Sequence, residues 1–469
     1  MADERRVVIV GGGPAGLTAA HALMKAGVRA VVLEKEPQVG GHARTIERGG
    51  FLFDIGGHRF FTKIPEVRAI WEEVLDEPFL KVRRLSRILY RGRFFRYPLK
   101  PLEALWRMGL FESGWVALSY ARKKLFPMPE DGTLESWMSN RFGRRLFLMF
   151  FKTYTEKVWG RKCTEIRSDW AAQRIKSLTL GGALRNALVP GRDRPRSLVE
   201  EFDYPARGPG MLWERMAAGL RAGGQEVRRE RDVVRVRHAG GRVRAVVARH
   251  AGGDEEHAGT HFIASMPLQE LVLALDPPAP PAVQDHARAL KYRDFITVAV
   301  MVRRAEVFPD NWIYVHTPDI NVARIQNFKN WSAAMVPDPA QTCLGLEYFC
   351  NEGDGLWSMP DAALEELARR EVAMLGFARP DEITGAAVLR QRKAYPVYDW
   401  EYKDHVDRLR AWLAGLENLQ MVGRNGLHKY NNQDHAMLTA LLAVRNVLGE
   451  KLDVWAVNTE NEYHEITTT

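Results

Sequence analysis

Apolar residues near the start of the chain fall into two short runs that are separated by a helical pattern. The first run, Val7–Val10, is apolar at every position, as a parallel strand buried on both faces requires. The second run ends at Glu34. Between them, Gly11, Gly13 and Gly16 have the spacing Gly-x-Gly-x-x-Gly. This order predicts a βαβ unit with a glycine-rich turn between its first strand and its helix.

Each residue of this turn has a physical role in binding a dinucleotide. Gly11 allows a tight turn, Gly13 lets the backbone approach a pyrophosphate, and Gly16 lets the helix pack closely on the sheet. The free N–H groups at the start of the helix attract phosphates. Glu34 places a carboxylate where ribose hydroxyls would lie. Together these features predict a dinucleotide site rather than an accidental cluster of glycines.

A second glycine pair indicates which dinucleotide binds. The sequence Gly-Gly-His-Ala-Arg occupies residues 40–44, shortly after Glu34. The pattern Gly-Gly-x-x-Arg resembles the second phosphate contact of glutathione-reductase-like and amine-oxidase-like flavoproteins, in which the arginine holds the pyrophosphate from the other side. We therefore expect FAD, with Lys35, Gly41 and Arg44 among the residues that bind it.

Composition narrows the class of protein. The chain has 469 residues, of which 46% are hydrophobic, enough for two or three structural units. No apolar run reaches the roughly 18 residues that span a membrane, and no signal-peptide pattern precedes the first strand. We therefore expect a cytoplasmic protein without an integral membrane segment. The three cysteines, at 163, 343 and 350, lack metal-ligand spacing, so neither a disulfide framework nor a metal site is predicted.

The chain is basic, with a formal net charge of +9 and a pI of about 9.4. Its arginines are scattered, and no aromatic and basic stripe typical of a nucleic-acid surface is present. An anionic cofactor and an anionic small substrate would also be attracted by a positively charged protein. We therefore expect a small-molecule substrate and no nucleic acid, and the sequence predicts no oligomeric state.

The order of the remaining elements predicts a discontinuous cofactor domain. The expected fold class is α/β, with a Rossmann-like FAD-binding domain of the glutathione-reductase or amine-oxidase type. This domain is assigned to residues 1–62, 204–280 and 415–469. Residues 63–203 are expected to form a mainly helical substrate domain, and residues 281–414 a substrate domain of mixed β-sheet and helix. The site should lie between these domains, where ligand pockets are common.

Residues 101–126 allow two interpretations. The segment is rich in Leu, Trp and Ala and is interrupted by a few charged residues. It could lie on a membrane surface, or it could be a helix packed inside the helical substrate domain. We favour the packed helix.

Several short motifs, spread from end to end, resemble the UDP-galactopyranose mutases, especially their longer, eukaryotic-type members. The matching segments are Phe53–His58, Tyr97–Leu99, Lys157–Trp159 with Trp170 and Arg174, Arg207–Gly210, Ser265–Leu268, Trp312–Tyr314 with Arg324, and Gly423–His435. The last of these is the most specific match. Two departures are visible: the segment between Tyr430 and Asn432 is short, and Lys100 stands where a glutamine is expected. A uridine pocket is not recognisable.

The resemblance implies an isomerase that interconverts the pyranose and furanose forms of a nucleotide sugar. In that family the flavin acts in its reduced form, with its N5 as the nucleophile on the anomeric carbon. An external reductant is then needed, for which NAD(P)H is a candidate, although no second dinucleotide motif is present. Paired arginines suit a diphosphate because they form bidentate, charge-assisted contacts.

The resemblance also assigns site residues. Those expected to act in catalysis are His58, Arg174 and Arg324. Those expected to bind the cofactor, beside the residues named above, are Gly57, His58, Val234, Gly423, Arg424, Asn432 and Gln433. Those expected to bind the substrate are Tyr97, Trp159, Arg174, Trp312, Tyr314, Arg324, Tyr395, Tyr430 and Asn432.

Other interpretations stay open for individual residues and for the whole chain. Trp159, Trp312 and Tyr314 could be core aromatics, Arg174 a salt-bridge partner and His58 a loop histidine. The alternative function is an FAD-dependent oxidase or dehydrogenase of the amine-oxidase or protoporphyrinogen-oxidase type. A third is a flavin-stabilised binding protein without turnover.

Overall fold

The computed structural model describes residues 5–99, 101–168 and 200–458, so Trp170 and Arg174 lie outside the described residues. The helices are, in chain order, α1 (Pro14–Lys25), α2 (Pro65–Leu75), α3 (Pro101–Met108), α4 (Leu110–Leu125), α5 (Leu134–Phe142), α6 (Arg144–Phe147), α7 (Thr153–Trp159), α8 (Gly210–Ala222), α9 (Leu268–Leu273), α10 (Pro281–Ala289), α11 (Asp361–Met374), α12 (Tyr402–Leu413), α13 (Gly423–Gly426) and α14 (Gln433–Val447). The strands are β1 (Arg6–Val10), β2 (Arg29–Leu33), β3 (Thr45–Arg48), β4 (Phe51–Asp54), β5 (Leu80–Arg83), β6 (Ser86–Tyr90), β7 (Arg93–Arg96), β8 (Glu201–Tyr204), β9 (Glu226–Arg228), β10 (Asp232–Ala239), β11 (Arg242–His250), β12 (Gly253–Ala258), β13 (His261–Ala264), β14 (Leu275–Asp276), β15 (Tyr292–Val302), β16 (Trp312–Val315), β17 (Arg324–Asn327), β18 (Thr342–Cys350), β19 (Ile383–Pro396) and β20 (Leu419–Met421).

The first sheet is parallel and has the strand order β20-β13-β1-β2-β9. Val7–Val10 of β1 are at most 5% exposed, so both faces of this strand are covered, as its apolar sequence predicts. Helix α1 follows β1 after the glycine turn and packs against α8 and α14. The sheet draws its strands from the three segments assigned above to a cofactor domain, while the division into domains stays a prediction.

The strands β10 and β11 form a valine-rich hairpin and pair antiparallel within a four-stranded sheet. Val233 and Val236 are buried, whereas Arg235 and Arg237 are exposed. The spacing of three between the buried valines arises from a β-bulge between Val233 and Arg235. A bulge adds one residue to a strand and shifts the alternation of its side chains.

The third sheet has seven strands in the order β19-β15-β18-β17-β16-β6-β7. Residues 80–96, in the segment expected to be mainly helical, form the strands β5, β6 and β7 instead of helix. Arg91 and Gly92 join β6 to β7 with φ of 48° and 74°, as a two-residue hairpin turn requires. Strand β6 then pairs in parallel with β16, which ties the helical insert to this sheet.

Residues 101–126 form two helices, α3 and α4, rather than one helix packed on all sides. Met108 and Val116 are buried against α5 and α6, whereas Trp106, Leu110 and Phe111 are exposed. The expected packing is therefore correct for the inner side of this pair and wrong for its outer side. Beyond it, α6 continues through a π-helical turn, Leu148–Lys152, into α7.

The three cysteines are free and buried. Burial raises the pKa of the Cys163 and Cys350 thiols to about 12 and places the pKa of Cys343 well above its usual range. All three are therefore protonated at neutral pH, the form in which thiols react poorly.

Candidate active site

One large cavity lies between the parallel sheet, the seven-stranded sheet and the helices α3–α7. Its volume is about 2030 Å³, whereas ligand pockets usually measure roughly 300–1,000 Å³. The predicted site residues that line it are Gly11, Gly13, Glu34, Lys35, Gly41, Arg44, Gly57, His58, Tyr97, Trp159, Tyr314, Arg324, Tyr395, Gly423, Arg424, Tyr430, Asn432 and Gln433. The fold thus brings residues from both ends of the chain to one space.

At one end of the cavity the two predicted glycine loops face each other. A Cβ on Gly41 would lie 3.2 Å from the Gly13 Cα, and a Cβ on Gly13 would lie 3.6 Å from the Gly41 Cα. The loops are tied by a hydrogen bond of 2.8 Å from the Gly40 N–H to the Gly12 carbonyl. Because no side chain fills the space beside them, the backbone is open to a pyrophosphate.

Gly16 does not line the cavity but has the packing role predicted for it. A Cβ on Gly16 would lie 1.8 Å from the Gly11 carbonyl oxygen. Only a glycine therefore lets α1 begin so close to the end of β1. The N-terminus of this helix is directed to the same space, since Gly13 and Pro14 both line it.

Glu34 lies at the end of β2 and is 5% exposed. Its carboxylate accepts hydrogen bonds from the N–H of Gly12 at 2.6 Å and of Glu36 at 2.9 Å. Burial raises the pKa of this carboxyl, and the two N–H donors and Arg44 oppose that shift. The carboxylate keeps further lone pairs beyond these two contacts, and its assignment to ribose hydroxyls stays a prediction.

Arg44 extends from the second glycine loop into the same end of the cavity. Its Nη1 lies 3.3 Å from Glu36 Oε2, and its buried Nε has no hydrogen-bond partner. Lys35 is exposed at the rim. A buried guanidinium N–H without a partner is costly, so Arg44 is suited to an anionic ligand.

The histidine loop follows β4. The His58 ring Nε2 lies 2.7 Å from the Ile55 carbonyl and therefore donates to it. Burial, together with the positive charge of Arg424 and Arg324, lowers the pKa of His58 to about 4. The ring is thus neutral at pH 7, and the adjacent Gly57 also lines the cavity.

Asp54 holds the base of this loop and is 1% exposed. Its carboxyl accepts hydrogen bonds from Tyr204 and, at 2.7 Å, from Thr45. A Cβ on Gly208 would lie 2.7 Å from Asp54 Oδ1 and 2.3 Å from Thr45 Oγ1. The motif at residues 207–210 is therefore needed for packing beneath the loop.

The stability of the wild type is expected to fall, relative to Asp54→Asn, as the pH rises from about 4 to about 7. Burial raises the pKa of Asp54 to about 7, against an ordinary value near 4. In this window the folded carboxyl keeps its proton while the unfolded one loses it, so each pH unit costs up to roughly 1.4 kcal/mol. Urea unfolding at several pH values measures the difference. The exposed Asp285→Asn is the control, and parallel curves for Asp54→Asn and wild type would contradict the prediction.

Arg324 lines the cavity and is also part of a buried ion pair. Its Nε donates to Glu347 Oε2 at 2.8 Å, and Gln326 donates to Glu347 Oε1 at 3.0 Å. Burial alone would lower the pKa of Arg324, but Glu347 on the paired strand β18 holds it well above its usual range. The positive charge predicted to contact a diphosphate is therefore already balanced inside the protein.

The C-terminal motif forms an aromatic and cationic wall. The rings of Tyr395 and Tyr430 stack with centroids 5.4 Å apart, and the Arg424 guanidinium lies 4.9 Å from the Tyr430 ring. Arg424 donates to the carbonyls of Asn431 at 2.8 Å and Ala394 at 3.1 Å. Burial raises the pKa of Tyr395, which keeps its hydroxyl protonated as a hydrogen-bond donor.

Helix α14 begins beside this wall. Asn432 is its N-cap residue, and Gly423 is held by a hydrogen bond of 2.9 Å from its N–H to Thr439. The side-chain Oε1 of Gln433 accepts a hydrogen bond from Trp213 Nε1 at 3.2 Å, while its buried Nε2 has no partner. An unsatisfied donor at a helix N-terminus suits an electronegative ligand atom.

Two predicted residues are displaced from the cavity. Val234 does not line it, because the bulge in β10 turns Val233 inward instead. Trp312 is 3% exposed and packs one layer behind the wall, 5.5 Å from Trp331. Of the aromatic residues taken as substrate ligands, Tyr97 and Tyr314 do face the cavity, with ring centroids 4.9 Å apart.

Three wall residues were not identified from the sequence. Arg84 lines the cavity 5.5 Å from the Tyr97 ring, and its buried Nε has no hydrogen-bond partner. Arg293 donates to the carbonyls of Val158 and Phe349 at 2.9 and 3.0 Å. Tyr154, just after the π-helical turn, stacks on a buried histidine at 4.8 Å. For Arg84, the many arginines near it in the sequence were the one indication of a role in the cavity.

The side chains that could bind a metal ion lie away from the cavity. Among the residues that the structure describes, one group of three such side chains comes together, formed by His286, Asp404 and His405. None of the three lines the cavity.

The residues present fit FAD. The facing glycine loops, the buried Glu34 carboxylate and the unpartnered Arg44 Nε suit its ribose and pyrophosphate. The unpartnered Gln433 Nε2 and the start of α14 suit the carbonyl oxygens of a flavin ring.

Comparisons with known proteins agree with this fit. A crystal structure of reduced UDP-galactopyranose mutase superimposes with a TM-score of 0.84 at 19% identity, covering 98% of this chain and 99% of that one. A protein provisionally named protoporphyrinogen oxidase from Exiguobacterium sp. 255-15 gives a TM-score of 0.70 at 18% identity, covering 95% and 99%. At these identities the likeness shows the fold, which is the amine-oxidase-type FAD-binding fold.

Sequence matches to characterised proteins are shorter. The 4,4'-diapophytoene desaturase (4,4'-diapolycopene-forming) of Methylomonas sp is 32% identical over 97 residues, covering 20% of this chain and 19% of that protein. In contrast, the pattern of one family matches residues 14–447, nearly the whole chain. The chain therefore belongs to the flavin-containing amine oxidoreductase family.

Proposed function

We propose that this chain is an FAD-dependent mutase that interconverts the pyranose and furanose forms of a sugar held through a phosphate group. The proposed enzyme resembles UDP-galactopyranose mutase, and in particular the longer, eukaryotic-type branch of that family. The sequence predicts a nucleotide sugar as its substrate. Bound FAD, in its reduced form, would supply the nucleophile for the anomeric carbon.

One observation carries the proposal: the cavity has an excess of positive charge. Arg84, Arg293 and Arg424 line it without a carboxylate partner among the described residues. Arg293 is 5% exposed and the other two are half-buried, so each charge is at least partly removed from water, which costs free energy. Anionic ligands offset that cost, and the pyrophosphate of FAD together with a phosphate on the substrate supplies them.

The same excess of positive charge favours a mutase over an amine oxidase. The substrate of an amine oxidase is cationic when it arrives and would be repelled by these guanidinium groups. Glu347, the carboxylate behind Arg324, is neutralised and is not part of the wall. The arrangement therefore favours an anionic substrate over an amine.

The side chains of the wall have complementary roles in the proposal. The Arg84 guanidinium and the hydroxyls of Tyr97 and Tyr314 would hold the phosphate. Tyr154 and Tyr395 stay protonated because burial raises the pKa of each, so they donate hydrogen bonds to sugar oxygens without carrying charge. The neutral His58 would orient the cofactor.

The test is an anaerobic assay of the holoenzyme after reduction with dithionite. Incubated with a panel of UDP-sugars and lipid-linked sugar phosphates, the reduced enzyme is expected to form a ring-isomerised product from at least one of them with no net redox change, and the oxidised enzyme is expected to be inactive. In a parallel aerobic incubation of the oxidised enzyme, stoichiometric hydrogen peroxide with accumulation of an oxidised product would instead support the oxidase alternative.

Two arginine variants test, in the same assay, whether Arg84 binds the substrate. Arg84→Gln is expected to lower kcat/KM at least tenfold, about 1.4 kcal/mol, with FAD content unchanged. Arg249→Gln, an exposed arginine on β11 outside the cavity, serves as the matched control. Equal kcat/KM values for the two variants would show that Arg84 does not contact the substrate.

A further inference from the structure

Helices α3 and α4 carry an apolar face that no described residue covers. It consists of Trp106, Leu110, Phe111, Trp115 and Leu118, and it continues to Leu125 and Phe126 after the end of α4. Leu110 is 95% exposed, Trp106 81% and Phe111 80%. Contiguous exposed apolar surface of this kind marks an interaction site in a folded protein.

The charge around the apolar face is unusually concentrated, so the expectation above that the basic residues are scattered along the chain is wrong for this segment. Residues 83–126 contain eleven Lys and Arg but two Glu, whereas the rest of the chain contains 56 basic and 56 acidic residues. The entire formal net charge of +9 therefore lies in this one segment. Both glutamates are engaged, Glu103 by Arg107 at 2.9 Å and Glu112 by Arg145 at 2.6 Å.

This combination favours an anionic bilayer as the occupant of the apolar face. Interfacial helices place Trp, Phe and Leu at the boundary of the hydrocarbon and basic residues among anionic head groups. A second copy of the chain would bring an equally basic segment into contact, which like charges oppose. No helix of the described residues is long and apolar enough to cross a bilayer, so the contact would be peripheral.

The inner side of the same helices forms one arm of the cavity together with α5 and α6. Its wall consists of Ala104, Met108, Val116, Met138, Phe142 and Leu146, which are all buried and apolar. A nucleobase would need hydrogen-bond partners that these side chains lack, whereas a hydrocarbon chain needs none. The helices α3 and α4 thus carry the apolar face on their outer side and contribute Ala104, Met108 and Val116 to the apolar arm on their inner side.

The apolar arm adjoins the proposed phosphate site. Tyr314 and Trp159, which line the cavity, pack against the same hydrophobic cluster as the arm. Tyr97 stands beside Tyr314, and Arg84 stands beside Tyr97. The cavity therefore presents an apolar section, then a cationic and phenolic section, and then the predicted cofactor end.

We propose that the enzyme works at the surface of an anionic membrane on a sugar phosphate carried by a lipid chain. The apolar face docks on the bilayer, the apolar arm takes the first part of the lipid, and Arg84 with Tyr97 and Tyr314 takes the phosphate. The identity of the reaction rests on the proposed function. The lipid replaces the nucleoside for which the sequence showed no recognisable pocket.

The docking test is sedimentation of the holoenzyme with vesicles. Binding is expected to vesicles of phosphatidylglycerol and phosphatidylcholine, to be weak with phosphatidylcholine alone, and to fall with salt. Trp106→Ser with Phe111→Ser should reduce binding at least tenfold with FAD content and melting temperature unchanged, because both side chains are exposed. Leu273→Ser with Met374→Ser, two exposed residues elsewhere, is the matched control.

Two results would overturn the docking proposal. One is failure of the wild type to bind anionic vesicles at low salt. The other is a dimer, seen by analytical ultracentrifugation, that the Trp106→Ser and Phe111→Ser variant converts to a monomer, since the apolar face would then join two copies of the chain.

The ligand test uses farnesyl phosphate, inorganic phosphate and UDP with the oxidised holoenzyme. Farnesyl phosphate is expected to bind at least tenfold more tightly than inorganic phosphate and more tightly than UDP, measured by calorimetry. Tighter binding of UDP would overturn the lipid assignment and leave the proposed mutase intact. Binding of farnesyl phosphate without isomerisation of any lipid-linked or nucleotide-linked sugar by the reduced enzyme would overturn the proposed function instead.

Discussion

Replacing Arg324 with alanine is expected to lower the free energy of unfolding by about 3–5 kcal/mol. The variant leaves Glu347, 1% exposed as a side chain, without its cationic partner. A buried carboxylate whose partner is removed must stay charged at high cost or take up a proton. Chemical denaturation of the holoenzyme measures the loss, and the bound FAD per chain is recorded in parallel.

Two further variants isolate the cause. Arg324→Met combined with Glu347→Met removes both charges and should recover most of the stability, since apolar replacements of a buried pair are often neutral. Arg242→Ala breaks an exposed ion pair to Glu417 and should cost about 1 kcal/mol or less. If Arg324→Ala were no more destabilising than Arg242→Ala, the ion pair would be without structural importance and a role in diphosphate binding alone would be favoured.

Replacing Gly16 with alanine is expected to abolish FAD binding and to destabilise the protein by about 3 kcal/mol or more. The added Cβ would lie 1.8 Å from the Gly11 carbonyl oxygen, and neither backbone can move without opening the turn that faces the pyrophosphate. The absorbance of bound flavin and the melting temperature measure the two effects.

Gly219→Ala is the matched control for this substitution. Gly219 also lies inside a helix, α8, but a Cβ there would meet no atom within 4 Å. Alanine should therefore leave FAD content unchanged and stabilise the helix by up to about 1 kcal/mol. Retention of FAD by Gly16→Ala would show that the turn tolerates a wider separation of helix and strand than its geometry indicates.

Local sequence patterns are sufficient to predict the first part of the fold. The βαβ unit from Val7 to Glu34 was predicted because its roles are local: a buried strand, a tight turn and a helix start lie within one short segment. The amine-oxidase-type fold followed from that unit and the second glycine pair. In such segments the spacing of residues along the chain largely determines the geometry of the site.

Features that depend on distant partners could not be predicted in this way. Glu347, which neutralises Arg324, is 23 residues away and meets it only through the register of two strands. Arg84 reaches the cavity because β6 joins a sheet built mostly by a later part of the chain. Trp312 and Tyr314 share one face of a strand, yet only one of them reaches the cavity.

The segment from 101 to 126 is a different case, because its two sides differ and the membrane contact considered for it stays a proposal. Its inner side packs as a helix of a substrate domain should. Its outer side keeps the aromatic residues exposed. A sequence pattern alone does not tell which apolar residues of a two-sided helix pair have a protein partner, since both sides carry similar side chains.

The buried thiols make the proposed membrane contact measurable by site-directed labelling. Cys163, Cys343 and Cys350 are inaccessible and protonated, so maleimide reagents should leave them unmodified in the folded enzyme. One cysteine introduced at Leu118 or at Leu448 would then carry a nitroxide or a fluorophore without removal of a native residue. Collision with oxygen or quenching by brominated lipids would report the depth of each position in the bilayer.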